Sequence, residues 1–198
     1  MCGSSTLRSG VLVLAGLAAA VTASAAPAQS KPRFVGPTIA HPSRAPDFAL
    51  RDQHGRTVRL ASQRGKVVMI TFLYTHCPDA CPLTATHIDE AIRSLGARRN
   101  HVIVLAVSVD PRGDTSSAVD RFVRVHRLGP QFHYLTGSAS ALGRVWRLYE
   151  VNVLRKGSPN PDHTLYTLVL DRSGMTRVLF DSLAKPASIG HDVGVLLG

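Results

Sequence analysis

Two uninterrupted apolar runs constrain this chain more than anything else in it. "KVVMITFLY", Lys66 to Tyr74, and "HVIVLAVSVD", His101 to Asp110, are continuous and rich in β-branched residues. A strand with one wetted face would alternate apolar and polar residues. Runs of this kind are strands buried on both faces, as in a sheet covered by helices. Between them, Pro82 suits the first turn of a helix. Ile88, Ala91, Ile92 and Leu95 make that helix's apolar stripe, and Gly96 stops it.

The other elements fall around this β-α-β core. "DFALRDQHGRTVRLAS" alternates Phe48 and Leu50, then Val58 and Leu60, with Gly55 at the turn, which is a β-hairpin pattern. "TSSAVDRFVRVHRLG" predicts a helix ending at Gly129, and "FHYLTG" a short strand. "SASALGRVWRLYEV" predicts a helix with Leu142, Val145, Trp146 and Tyr149 on one face. "TLYTLVLDRSGMTRVLF" is a hairpin turning at Ser173 and Gly174, and a last helix starts near Pro186. After the first hairpin the order is β-α-β-α-β-α-β-β-α. That is an α/β, thioredoxin-like plan: a mixed sheet flanked by helices, with an N-terminal β-hairpin. Loops at the carboxyl ends of parallel strands are where such sheets carry ligands.

Residues 1–26 have the pattern of a secretory signal, or an uncleaved N-terminal anchor. Arg8 supplies the positive start, Val11 to Val21 is an apolar stretch short for a bilayer span, and Ala23 to Ala25 reads as a cleavage signal. Cys2 precedes the apolar stretch, so it is not a lipoprotein cysteine. Residues 27–46, Pro-rich and polar, are expected to be a linker, and the folded domain to occupy 47–198. The expected location is therefore exported: the periplasm or the outer face of the cytoplasmic membrane. There two cysteines would remain, in a compartment that permits disulfides. The net charge of +10 falls to +9 without Arg8. No basic run alternates with aromatics and no nucleic-acid motif occurs, so nucleic acid is excluded as the partner. The basic balance instead fits a membrane surface or an acidic protein surface, or no dedicated partner at all.

"TFLYTHCPDACPLTATHIDEAIRSLG" places Cys77 just past the first apolar run and Cys81 just before the helix. Donors at a helix N-terminus stabilise thiolates. The spacing is C-x-x-x-C, one residue wider than the C-x-x-C of dithiol oxidoreductases, which suits two sulfurs on one ion but also permits a disulfide. The pair alone does not choose between metal and redox chemistry. Thiolates are soft ligands that select Cu(I) or Zn, and a third donor would have to be a histidine. Of nine histidines, His76, His87, His41, His54, His101, His126, His133 and His191 read as exposed or capped side chains. His163 differs. It begins a strand expected to run antiparallel to the one before the cysteines, so it lies beside their loop. Read from the residues alone, it is either a ligand or a cap for the strand start.

Three separated segments, "FLYTHCPDACP", "SVDPRGDT" and "DHTLYTLVLDRSG", together with the lead-in "PDFALRDQHGRTVRLASQRGKVVMITF", resemble the Sco/SenC copper chaperones. The resemblance runs from about Pro46 to Phe180. It implies a thioredoxin fold that binds one copper ion, as Cu(I) or Cu(II), through Cys77, Cys81 and His163. It also implies delivery to the CuA centre of cytochrome c oxidase subunit II. Asp110 and Asp114 match the family's Asp-Pro-x-x-Asp-Thr segment. Asp110 is expected to support the ligands from behind, whereas Asp114 or Thr115 is expected to cap the next helix. Family members are often membrane-tethered, and this N-terminus looks cleavable; another exported copper protein is therefore a second acceptor. The competing activity is that of an exported thiol–disulfide oxidoreductase, with Cys77 and Cys81 as the redox pair. A peroxidase is disfavoured because no proline stands in "ITFLYTH". A structural disulfide is disfavoured because so short a loop constrains little chain entropy.

Overall fold

The computed structural model divides the chain into two units, 1–31 and 32–198. Met1, Gly3 and residues 33–154 and 162–198 are described. The expected signal and its boundary at residue 26 lie outside the described residues, as does most of the loop before His163. Among the described residues no helix is long and apolar enough to cross a membrane.

A hairpin, β1 (Ala49–Arg51) and β2 (Thr57–Arg59), opens the order of elements. Its turn uses Gly55 at φ +75°, a left-handed conformation that suits glycine. Then come β3 (Val67–Leu73), α1 (Ala80–Ser94), β4 (Val102–Ser108), α2 (Ser116–Val125), β5 (Phe132–Leu135) and α3 (Ala139–Leu148). A two-residue ribbon follows, β6 (Val153–Leu154) with β7 (Asp162–His163). The hairpin β8 (Tyr166–Leu170) and β9 (Thr176–Asp181) and helix α4 (Pro186–Leu197) close the chain.

The main sheet has the order β5-β4-β3-β8-β9. β3 and β4 are parallel, as are β4 and β5, whereas β8 runs antiparallel to both β3 and β9. Every residue of β3 and β4 is buried. Successive strand side chains point to opposite faces, so both faces of the sheet centre are covered. This mixed sheet flanked by helices is the expected thioredoxin-like architecture. α1 and α4 pack together where a Cβ on Gly190 would lie only 3.4 Å from the Ala91 carbonyl oxygen.

The boundaries differ from expectation in three places. α1 begins at Ala80, so Cys81 lies inside its first turn and Pro82 is its third residue. Proline is tolerated there because the first helical N–H groups have no partner within the helix. α2 ends at Val125, and the left-handed residue after it is Arg127, φ +51°, rather than Gly129. The segment before Asp47, expected as a linker, is docked on the sheet from Val35 onward. The N–H groups of Ile39 and Leu179 and the backbone of Ser43 and Thr176 join it to β9. The Val35 and Gly36 N–H groups donate to the Asp192 carboxylate on α4, each at 2.8 Å. A side chain at Gly36 would strike the Phe180 ring, 2.3 Å from the added carbon.

Candidate metal centre

β3 delivers the chain to the carboxyl edge of the sheet, and the cysteine loop starts four residues after its end. Both described cysteines are free thiols; Cys81 is fully buried and Cys77 half-buried. The loop turns where the Cys77 N–H reaches the Tyr74 carbonyl at 3.4 Å. No side chain at Asp79 caps α1. The Cys77 sulfur takes that role and accepts the Cys81 N–H at 3.3 Å. An anion is favoured at that place by the unpaired N–H groups and the helix dipole.

The two thiols are electrostatically unequal. The Cys81 thiol donates to Cys77 and is the largest cause of a Cys77 pKa lowered to about 5. The backbone N–H groups of Asp79 and Cys81 and the Tyr74 hydroxyl lower it further, while burial opposes them. Cys81 is pushed well up, first by its bond to Cys77 and then by burial. At neutral pH the site holds one thiolate, at Cys77, and one protonated thiol, at Cys81.

His163 arrives from the other side. It lies on β7, one of two residue pairs in the small ribbon, rather than on the main antiparallel strand, which starts at Tyr166. Its Nε2 is 3.9 Å from the Cys81 sulfur. The ring stands edge-on to Tyr74, centroids 5.7 Å apart. Nδ1 lies 2.9 Å from the Thr164 carbonyl oxygen, which fixes the proton on Nδ1 and leaves the Nε2 lone pair toward the Cys81 sulfur. Burial pushes the imidazole pKa down, against smaller upward contributions from the Thr164 carbonyl, Cys77 and Asp162. His163 is therefore neutral at physiological pH, the form that binds metals.

Sulfur and nitrogen bound to one tetrahedral ion stand about 3.5 Å apart, given bonds of about 2.3 and 2.0 Å. The Cys81–His163 pair is already close to that separation. Among the described residues no three His, Cys, Asp or Glu side chains are grouped so as to hold an ion as they stand. Two sulfurs and one imidazole make a soft donor set, which fits a thiophilic metal ion.

The two aspartates of "SVDPRGDT" lie behind this loop with different roles. Thr115, not Asp114, caps α2: its side chain accepts the Ala118 N–H at 3.3 Å. Asp114 is 5% exposed. One of its oxygens accepts the N–H and the hydroxyl of Thr75, both at 2.8 Å. The other accepts Ser108 at 2.5 Å and Tyr134 at 3.1 Å. Burial raises its pKa, against these four donors. Asp110 is also buried; its carboxylate accepts the Arg112 N–H at 3.3 Å, and its charge helps to raise the pKa of Tyr74. Sequence reading missed Tyr74, which touches both Cys77 and His163, and left the cap open between Asp114 and Thr115. A tyrosine three residues before the first cysteine was the available signal.

The remaining histidines lie elsewhere. His76 is exposed, its Nδ1 3.1 Å from the Thr75 hydroxyl. His87, expected to face solvent, is half-buried with Nδ1 2.9 Å from the Ala184 carbonyl oxygen. His133 lies on β5, 3.3 Å from Asp52, and His191 is 2.9 Å from Asp192.

Residues 37–197 match the SCO1/SenC family model. The mitochondrial SCO2 homolog of Bos taurus is 38% identical over 107 residues, 53% of this chain and 40% of that protein. The solved structure of Bradyrhizobium japonicum ScoI with copper bound is 29% identical at a TM-score of 0.67, covering 77% of this chain and 98% of that one. The solution structure of apo Sco1 from Thermus thermophilus is 30% identical at a TM-score of 0.71, covering 83% and 97%.

Proposed function

This chain belongs to the SCO1/SenC family, and from that premise we propose that it is a copper metallochaperone. Cys77, Cys81 and His163 hold one copper ion, as Cu(I) or Cu(II), and the protein passes it to the CuA centre of cytochrome c oxidase subunit II or to another exported copper protein. The work is done outside the cytoplasm, in the periplasm or at the outer face of the membrane. The observation that carries the ligand set is the 3.9 Å approach of Nε2 of His163 to the sulfur of Cys81, across 82 residues of sequence. The copper-bound ScoI relative supports the choice of metal.

The residues divide the work. Cys77 offers a thiolate at neutral pH, and His163 a neutral imidazole. Cys81 must give up its proton to bind, so metal capture and proton release are linked. Three donors leave coordination positions open, and an acceptor's ligand can enter there while a protein ligand leaves.

The lowered pKa of Cys77 favours a second activity at the same residues, reduction of a partner disulfide. The Cys77 thiolate attacks one partner sulfur and expels the other as a thiolate. Cys81 then loses its proton and attacks the Cys77 sulfur. The partner leaves with two thiols, and this protein with a Cys77–Cys81 disulfide.

An anaerobic Cu(I) titration of the reduced protein against a competing chelator, with His163→Ala alongside, tests the proposal. The expected result is one tightly held equivalent in the parent and much weaker binding in the variant, with dithiol exchange intact in both. Feeble copper binding by both, with exchange retained, would leave only the reductase.

A further inference from the structure

A groove of about 560 Å³ opens beside the cysteine loop. Thr75 and His76 form one wall, and α2 forms the other through Arg121, Phe122, Val125 and His126. β3 lies between β4 and β8 in the sheet. The groove flanks the loop on the β4 side, therefore, and the His163 ribbon flanks it on the β8 side. The residue after His76 is Cys77, the more exposed of the two thiols. Cys77 does not itself line the groove, but the groove ends at the residue before it in the chain.

The lining has a definite chemistry. It contains one arginine and two histidines and no Asp or Glu. Asp114 is close by but faces inward, saturated by its four donors, and the Asp110 carboxylate, 5% exposed, packs beneath Gly113 and beside His76. Asp120 lines a separate groove on the other flank of α2. Arg56, Arg59, Arg93 and Arg177 each pair with a carboxylate. Arg121 is exposed and makes no ion pair among the described residues. Beside it Val125 is 63% exposed, and the His126 ring lies over Phe122 at 4.6 Å. The result is a concave strip with an apolar wall, whose positive charge at Arg121 makes no ion pair among the described residues.

We propose that this groove seats an extended acidic segment, with an apolar residue, of the polypeptide that exchanges ligands or sulfur with Cys77. The proposal rests on the reading that the acceptor is a polypeptide. The concave shape suits a strand of chain better than a flat lipid surface. Positive charge lining a cleft raises the local concentration of an acidic partner and speeds encounter, by about ten- to a thousandfold.

The test uses the metal-free, reduced, isotope-labelled protein and an acetylated eight-residue peptide of alternating Glu and Ser with one Leu. Amide shifts should map to Thr75, His76, Gly113 and the stretch from Arg121 to His126. Arg121→Glu should weaken binding at least about tenfold. Arg99→Glu makes the same charge change on the turn before β4, at the opposite rim of the sheet, and should weaken it less than about twofold. Equal weakening by both variants, or shifts spread over the basic surface, overturns the groove. Groove shifts produced by phosphatidylglycerol vesicles and not by the peptide overturn it in favour of a lipid surface. Arg121→Glu should hold copper as the parent does; loss of copper would assign Arg121 to the metal site and overturn a separate docking role. A parent that holds no copper strikes the chaperone reading and leaves the shift map standing.

Discussion

The carboxylate of Asp114 takes both the N–H and the hydroxyl of Thr75 on a single oxygen, two residues ahead of Cys77. Its other oxygen holds Ser108 at the end of β4 and Tyr134 on β5. One buried side chain thus ties the entry of the cysteine loop to two neighbouring strands. Asp114→Ala strands four donors and should cost about 2–4 kcal/mol of stability in urea denaturation. Asp114→Asn keeps the shape, because the Ser108 and Tyr134 hydroxyls can turn to accept from an amide. The folded-state pKa of Asp114 is raised, so its protonated form is the stabilising one. That contribution is full below the unfolded value of about 3.9 and is lost as pH rises through the folded value. Asp114→Asn should therefore gain on the parent as pH rises above about 4, the unfolded carboxylate value. A gap independent of pH would refute a buried carboxylate that ionises at a cost.

Cys77 should be alkylated by iodoacetamide with a rate midpoint near pH 5, well below the ordinary cysteine value of about 8.5. Cys81, fully buried, should resist until the protein unfolds. Cys81→Ala removes the largest cause of the depression, so the Cys77 midpoint should move upward. A midpoint unchanged by that substitution would assign the depression to the helix terminus instead.

Copper capture should release about one proton at pH 7, from Cys81, because Cys77 is already a thiolate and His163 already neutral. Calorimetry in buffers of differing ionisation enthalpy reads that number. Affinity should fall about tenfold per unit as pH drops from 8 to 6, and more steeply below about pH 5 as Cys77 protonates. Flat affinity over the upper range would show that Cys81 is not a ligand.

Thr84 sits in α1 one turn beyond Cys81, and its buried hydroxyl finds no hydrogen-bond partner among the described residues. Valine has the same shape without the polar atom. Thr84→Val should stabilise the fold by about 1 kcal/mol in the same denaturation assay, with copper binding unchanged. A destabilised variant would reveal a partner for that hydroxyl.

The central strands were legible because burial on both faces writes an unbroken apolar run, as in β3 and β4. Both hairpins were legible from alternation interrupted by a turn glycine. The strap from Val35 to Arg44 was not. It docks through backbone bonds to β9 and Asp192, and such bonds leave no apolar period in the sequence. The cap was left between Asp114 and Thr115 because an Asp-Thr-Ser sequence before a helix looks the same whichever residue caps it. Only the fold, which brings Thr75 beneath Asp114, decides. The approach of His163 followed from strand direction, but the two-residue ribbon that carries it lacks any signal of its own.

That ribbon gives the site two jaws of unequal stiffness. Cys81 lies in the first turn of a fifteen-residue helix and Cys77 in the short loop that joins it to the sheet's innermost strand, and the amides of that strand and helix should exchange with solvent among the slowest in the molecule. His163 hangs on two residue pairs set apart from the main sheet. On the proposed reading the imidazole is the ligand placed to swing aside first, opening a position for an acceptor's ligand while the two sulfurs still hold the ion.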